Sequence, residues 1–220
     1  LRGACIFFAG SRRSHPDCDE NRIECWIKQK TKAIFHVHYA CTACYIDMIM
    51  SLAEKYDLFV VEDAAHAVDS FFTGSDGVKR ALGSIGDFAT FSFHETKNII
   101  SGEGGMLVVN NSKYEKRAEI IWEKGTNRSA FFRGEVDKYN WVDVGSSFIP
   151  SEITAAFLWA QLENLDKIQT KRLQLWERYY ERLNSPLLQK IIKLPAFPGY
   201  ATNNAHIFYV ICSDIECRDE

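Results

Sequence analysis

Short apolar runs alternate along the chain with segments whose apolar residues recur at helical spacing. Residues 58–62, LFVVE, place four apolar residues, including a β-branched pair, directly before Glu62 and Asp63. That is the pattern of a parallel strand buried on both faces, ending in a carboxylate. Residues 32–39, KAIFHVHY, form a second β-type run, and Ile46, Ile49, Met50 and Ala53 between the two follow an i, i+3, i+4, i+7 stripe. The stripe predicts an amphipathic helix, and the three elements together a β-α-β unit of right-handed crossover. In residues 86–105, GDFATFSFHETKNIISGEGG, an aromatic alternation predicts a strand that ends near His94 and gives way to a polar loop and a glycine cluster. Residues 106–109 predict the next strand and residues 113–123 a helix.

Elsewhere the pattern predicts a strand over 4–9, a polar loop over 10–22 and a short helix over 21–30. A short helix and then a hairpin-like, glycine-rich loop over 71–87 are expected after His66, and an irregular binding loop over 125–150. One long helix is predicted from an N-cap at Ser151 to about Leu183, with Ile153, Ala156, Phe157, Ala160 and Leu162 on its apolar side. Pro186, Pro195 and Pro198 then mark a shift of composition, and residues 205–211 read as the first strand of another domain.

Composition narrows the class. The 220 residues are 46% hydrophobic and 25% charged, ordinary values for a globular chain with a sizeable core. A net charge of −3 offers no basic field, so nucleic acid and an acidic membrane surface are not expected partners. The most apolar long window, residues 33–53, is broken by His36, His38 and Asp47, which excludes a membrane span there. Seven scattered cysteines fit reduced thiols in a cytoplasm better than a disulfide framework. Cys41 and Cys44 form a lone CxxC without a second pair, and no metal site is expected of it. His36 and His38 alternate onto one strand face; that spacing suits a metal pair, but packing or hydrogen bonding is the ordinary state of each.

The candidate chemistry gathers at two strand ends. Lys97 lies just beyond the end of the strand that stops near His94, and Asp63 closes the strand that begins at Leu58. In open α/β sheets ligands bind in the crevice outside such ends, where a lysine can be desolvated into a nucleophile. A pyridine-ring cofactor needs a lysine to anchor it and a carboxylate beside its ring nitrogen, and Lys97 and Asp63 are candidates for those two. The plain alternatives are a solvated loop lysine and a carboxylate that caps the following turn.

EDAAH at 62–66, FSFHETKN at 91–98 and GEGG at 102–105, in this order and spacing, resemble the DegT/DnrJ/EryC1/StrS family of pyridoxal-phosphate-dependent sugar aminotransferases. The resemblance covers almost the whole chain and is weakest between Phe8 and Glu24. It implies an α/β fold: the three-layer α/β/α transferase fold of aspartate aminotransferase type (fold type I), with a mostly parallel sheet. It further implies that residues 1–183 are a large cofactor-binding domain lacking its N-terminal part, and that 184–220 begin a small C-terminal α+β domain. Pyridoxal 5'-phosphate is the implied cofactor, with Lys97 as covalent anchor and general base, Asp63 at the ring nitrogen, His66 by the ring and Ser92 on the phosphate. Arg128, Arg133 and Lys138 are implied contacts of a sugar-nucleotide diphosphate, with a solvated basic surface as the plain reading of each.

Residues 124–147 and 151–166 resemble the branch of the family that takes L-glutamate and dTDP-4-keto-6-deoxyglucose and yields dTDP-4-amino-4,6-dideoxygalactose for enterobacterial common antigen. A cytoplasmic homodimer with shared active sites is implied, with no nucleic-acid or membrane partner. The sugar dehydratases of the same fold carry histidine in place of the lysine, so Lys97 argues against them. A non-catalytic or truncated paralogue, or a transaminase for another keto-sugar nucleotide, are the remaining alternatives. The chain departs from the family pattern in having His36 where proline is common and His66 where glutamine is frequent.

Overall fold

The computed structural model describes residues 3–12 and 15–219, except for the side chain of Cys41. Its framework is the unit predicted from the first two apolar runs. Strand β1 (Ala33–Val37) buries Ile34 and His36, and β2 (Phe59–Asp63) buries Val60 and Glu62. The strands pair in parallel with Ile34 opposite Val60, His36 opposite Glu62 and Val37 opposite Asp63. Helix α1 (Ile46–Tyr56) joins them and buries Ile46, Ile49, Leu52 and Ala53. It stops at Asp57, which turns left-handed (φ 51°) and returns its amide N–H to the Ala53 carbonyl.

Strand β5 (Phe88–Ser92) adds in parallel to β2, and β6 (Gly105–Val109) returns antiparallel beside β5 with Ser92 opposite Gly105. The sheet order is β1-β2-β5-β6, so three of its four strands are parallel. Two apolar clusters form the core. One unites Ile23, Ile34, Cys44, Ile49, Leu52, Ala53 and Val60. The other surrounds Phe72 with Ala43, Ile46, Ala64, Ala67 and Leu82. Each large aliphatic side chain removed from water in this way contributes about 1.5–3 kcal/mol.

Several expectations are corrected. Residues 4–9 form no strand: Ile6, Phe7 and Phe8 are exposed, and the first ladder contact is an isolated bridge between Ser11 and Cys18. Residues 13 and 14 of the predicted loop over 10–22 lie outside the described residues. The short helix over 21–30 is two 3-10 turns, Glu20–Arg22 and Glu24–Trp26, in which neither turn buries an apolar side chain and only Ile23 between them joins the core. The short helix expected after His66 is replaced by two tight turns, while the hairpin-like loop that follows is a hairpin of β3 (Phe71–Thr73) and β4 (Lys79–Ala81), as predicted.

Helix α2 (Glu115–Trp122) is followed by a short α3 (Arg128–Phe132) inside the otherwise irregular 125–150 segment. The long C-terminal helix is two, α4 (Glu152–Glu163) and α5 (Leu165–Leu183), broken at Asn164, whose side-chain amide donates to the Ala160 carbonyl. The Ser151 N-cap is as predicted, its hydroxyl accepting the Thr154 N–H, but α4 buries none of its apolar side chains. Residues 205–210 do not form a strand because side chains of α5 occupy their carbonyls. Arg172 donates to Ala205 and His206, and Trp176 to Ile207. Only β8 (Ile211–Cys212) pairs, with β7 (Ile192–Lys193), and a short helix α6 (Ile215–Asp219) ends the described chain. No helix among the described residues is long and apolar enough to cross a membrane.

Candidate active site

The site lies where β2 and β5 end. Because β2 alternates, its last two residues part company: Glu62 is fully buried on one face while Asp63 is half-buried on the other. Asp63 Oδ1 accepts the Ala65 N–H at 3.0 Å, so this carboxylate does cap the following turn while remaining at the crevice. That turn carries His66. The imidazole stands 5.5 Å from the Tyr39 ring and 4.3 Å from the ring of His206, and its Nδ1 is buried without a partner.

Lys97 comes from the loop that leaves β5. Its amide donates to the His94 carbonyl at 2.9 Å, closing a turn, and Ser92 Oγ accepts the His94 N–H at the start of the same loop. Burial, then the charge of Lys97, lowers the His66 pKa from its ordinary value, with Asp63 pulling the other way. Lys97 and Asp63 thus act on one imidazole from two strand ends. Burial pushes His206 further down, to about 3, with His66, Lys97 and Arg172 adding to the effect. The crevice holds an amine, a carboxylate and two imidazoles kept neutral, a set able to hold a protonated ring nitrogen, attack an electrophilic carbonyl carbon and move a proton.

A buried amide network holds Lys97 in place. Asn98 Nδ2 donates to Gln169 Oε1 at 2.9 Å and to the Asn204 carbonyl at 2.8 Å, while His206 Nδ1–H donates to Asn98 Oδ1 at 2.8 Å. Asn204 in turn donates to the carbonyls of His66 and Val68, both at 2.7 Å. Asn98, Gln169, Asn204 and His206 were not singled out from the sequence. The signal available was the polar group Asn203, Asn204 and His206 immediately before an apolar run.

Arg128, Arg133 and Lys138 lie in another part of the chain. Arg133 makes a bidentate pair with Glu119 (2.6 and 2.9 Å) and bonds Glu135 at 2.8 Å, and these bonds raise its pKa. Arg128 stands 3.5 Å from Glu123, with its guanidinium over the Phe132 ring. Lys138 is exposed, and its carbonyl accepts from Asn127. The CxxC expectation is left at Cys44, which is buried with its thiol directed to the Val37 carbonyl; Cys41's side chain lies outside the described residues.

The profile of the DegT/DnrJ/EryC1/StrS aminotransferase family matches residues 2–219. The chain belongs to that family. Uncharacterized protein MJ1066 of Methanocaldococcus jannaschii is 34% identical over 180 residues, covering 78% of this chain and 45% of that protein. The fold superposes on the aminotransferase TlmJ of Streptoalloteichus hindustanus with a TM-score of 0.83 at 24% identity, over 96% of this chain and 54% of that one. Helicobacter pylori PseC, an aminotransferase of pseudoaminic acid biosynthesis, gives a TM-score of 0.82 at 24% identity, over 96% and 53%. The architecture is therefore the α/β fold of these aminotransferases, and the chain spans about half the length of the relatives it matches.

Proposed function

We propose that the protein is a pyridoxal-phosphate-dependent sugar-nucleotide aminotransferase that moves the amino group of L-glutamate to C4 of dTDP-4-keto-6-deoxyglucose. The product is dTDP-4-amino-4,6-dideoxygalactose, for a surface polysaccharide of the enterobacterial common antigen type. The observation that carries the reading is the convergence of Asp63, His66 and Lys97 at the ends of the two central strands, β2 and β5, in a chain of this family. The family's aminotransferases depend on pyridoxal phosphate, and the residues here fit it. His66 Nδ1 is a buried polar atom lacking a partner, beside a half-buried carboxylate and a half-buried lysine.

When bound, the cofactor supplies an electron sink for the charge that develops at the donor's α-carbon. Lys97 would anchor it through Nζ and, once displaced by the donor's amino group, its free amine would take the α-carbon proton. Asp63 holds the proton of the ring nitrogen, because an ionised carboxylate stabilises a cation beside it. His66, neutral, would lie by the ring, and Ser92 Oγ would donate to the phosphate. His206 and Asn98 position the Lys97 loop.

Arg128, Arg133 and Lys138 would meet the sugar-nucleotide diphosphate, since guanidinium groups match phosphate oxygens bidentately. Arg133 must then exchange Glu119 and Glu135 for the ligand. Residues 1–183 are assigned to the large domain and 184–220 to the small one, a division supported by the separate β7-β8 pair. The protein is placed in the cytoplasm as a homodimer with shared sites; the exposed apolar side chains Trp141, Val144, Phe148, Ile153 and Trp159 support the homodimer.

The test is amino transfer from L-glutamate, with a panel of 4-keto and 3-keto sugar nucleotides, by the full-length protein. Turnover confined to the 4-keto dTDP sugar supports the reading, and transfer to other keto-sugars alone rejects the proposed substrate. No transfer to any of them, with cofactor bound, rejects the activity.

A further inference from the structure

We propose that His36, His38 and Glu62 form a binding site for one divalent transition-metal ion, with zinc as the cation this donor set suits. The three are 2%, 0% and 0% exposed, and one ligand atom from each lies within 4.8 Å of the other two. The sheet builds the cluster. His36 stands directly opposite Glu62 in the parallel register, and His38 follows two residues later, its ring edge-on to that of His36 at 4.8 Å.

Glu62 is held ready as a ligand. Its Oε1 accepts the N–H groups of Ile85 and Gly86 at 2.8 and 2.7 Å, and its Oε2 accepts Gly83 N–H at 2.8 Å and His38 Nε2–H at 3.0 Å. Gly83 makes this possible: its φ is +87°, and a Cβ there would meet the Phe91 ring at 2.6 Å. The imidazoles are not comparably satisfied. Both ring nitrogens of His36 and Nδ1 of His38 are buried with no partner. Buried polar atoms are almost always paired, and orphans clustered around a carboxylate call for an ion or a water.

Two imidazoles and a carboxylate are a borderline set that suits zinc, with a fourth position left for water. The 3.0 Å between His38 Nε2 and Glu62 Oε2 is close to the spacing of two ligands on one zinc ion, about 3.3 Å for bonds near 2.0–2.1 Å; zinc would replace the proton of that hydrogen bond, the ring proton passing to Nδ1. His36, whose ligand atom lies within 4.8 Å of the other two, would complete the set by moving inward. Metal binding requires neutral imidazole and ionised carboxylate.

The test uses tag-free full-length protein produced in zinc-supplemented and, separately, cobalt-supplemented medium, beside His36→Phe, with metal content measured after gel filtration. The wild type should carry about one zinc per chain and show the intense visible bands of four-coordinate cobalt. His36→Phe should bind zinc weaker by more than about 100-fold, since even a residue that merely orients a ligand costs about 10–100-fold. Zinc retained equally by His36→Phe, or a wild type that takes up none, overturns the site. If His36→Phe fails to fold, the wild-type cobalt spectrum decides: four-coordinate bands support the site, and weak six-coordinate bands or none reject it.

Discussion

Two adjacent carboxylates have opposite work. Asp63 faces the crevice and one turn N–H, whereas Glu62 faces three backbone N–H groups and His38 in the core. In the sequence Glu62 has no assigned role of its own, whereas the structure makes it the buried acceptor of Gly83, Ile85, Gly86 and His38. Glu62→Ala strands those donors at about 1–3 kcal/mol each, and a lower denaturation midpoint with little soluble protein is the expected result. Asp63→Ala should instead melt near the wild type while losing about 10²–10³-fold in turnover, the cost typical of removing a preorganised charge.

His206 gives a pH prediction. Its pKa is about 3 in the fold against an ordinary histidine value near 6.5, so between these limits the unfolded chain binds the extra proton. Stability therefore falls as pH drops below about 6.5. His36 contributes in the same direction, so His206→Phe should flatten but not abolish the fall in unfolding midpoint between about pH 7 and pH 5. A variant that follows the wild-type curve would show that His206 is not held neutral.

At the scale of elements, the loop from β5 to β6 is fixed by Asn98, which ties it to α5 and to the 204–206 segment. Asn98→Ala should lower stability by about 1–3 kcal/mol and increase amide exchange over residues 94–98 and 204–206 together, a pairing that hydrogen exchange can read. The sheet was legible from sequence because LFVVE, KAIFHVHY and the 46–53 stripe each match one period over enough residues. Asp63 and Lys97 were legible because strand ends address the crevice. The 205–210 segment was not, since what denies it a strand is the capture of its carbonyls by Arg172 and Trp176 more than thirty positions earlier. Nor was the buried His36, His38 and Glu62 cluster legible as a unit, because it depends on the register of two strands. The helix break at Asn164 was equally hidden within an uninterrupted helical pattern.

At the scale of the molecule, α4 is a helix with apolar side chains and none of them buried: Ile153 is 83% and Trp159 65% exposed. Faces of this kind are covered by a partner surface in most proteins. The proposed homodimer predicts that light scattering of the full-length protein gives twice the chain mass, and that Trp159→Glu shifts it toward the monomer. A wild type that is monomeric at assay concentration would remove the shared-site reading while leaving Lys97 in place. The central claim is that Lys97 holds the cofactor and moves the proton. Its most direct test is the visible absorption of full-length protein with pyridoxal phosphate, before and after L-glutamate, for the wild type and Lys97→Ala. The wild type should show a lysine-linked band that glutamate discharges, and Lys97→Ala should lack that band and lose at least about 10²–10⁴-fold in transfer. An alanine variant that keeps the band and still turns over would contradict the account.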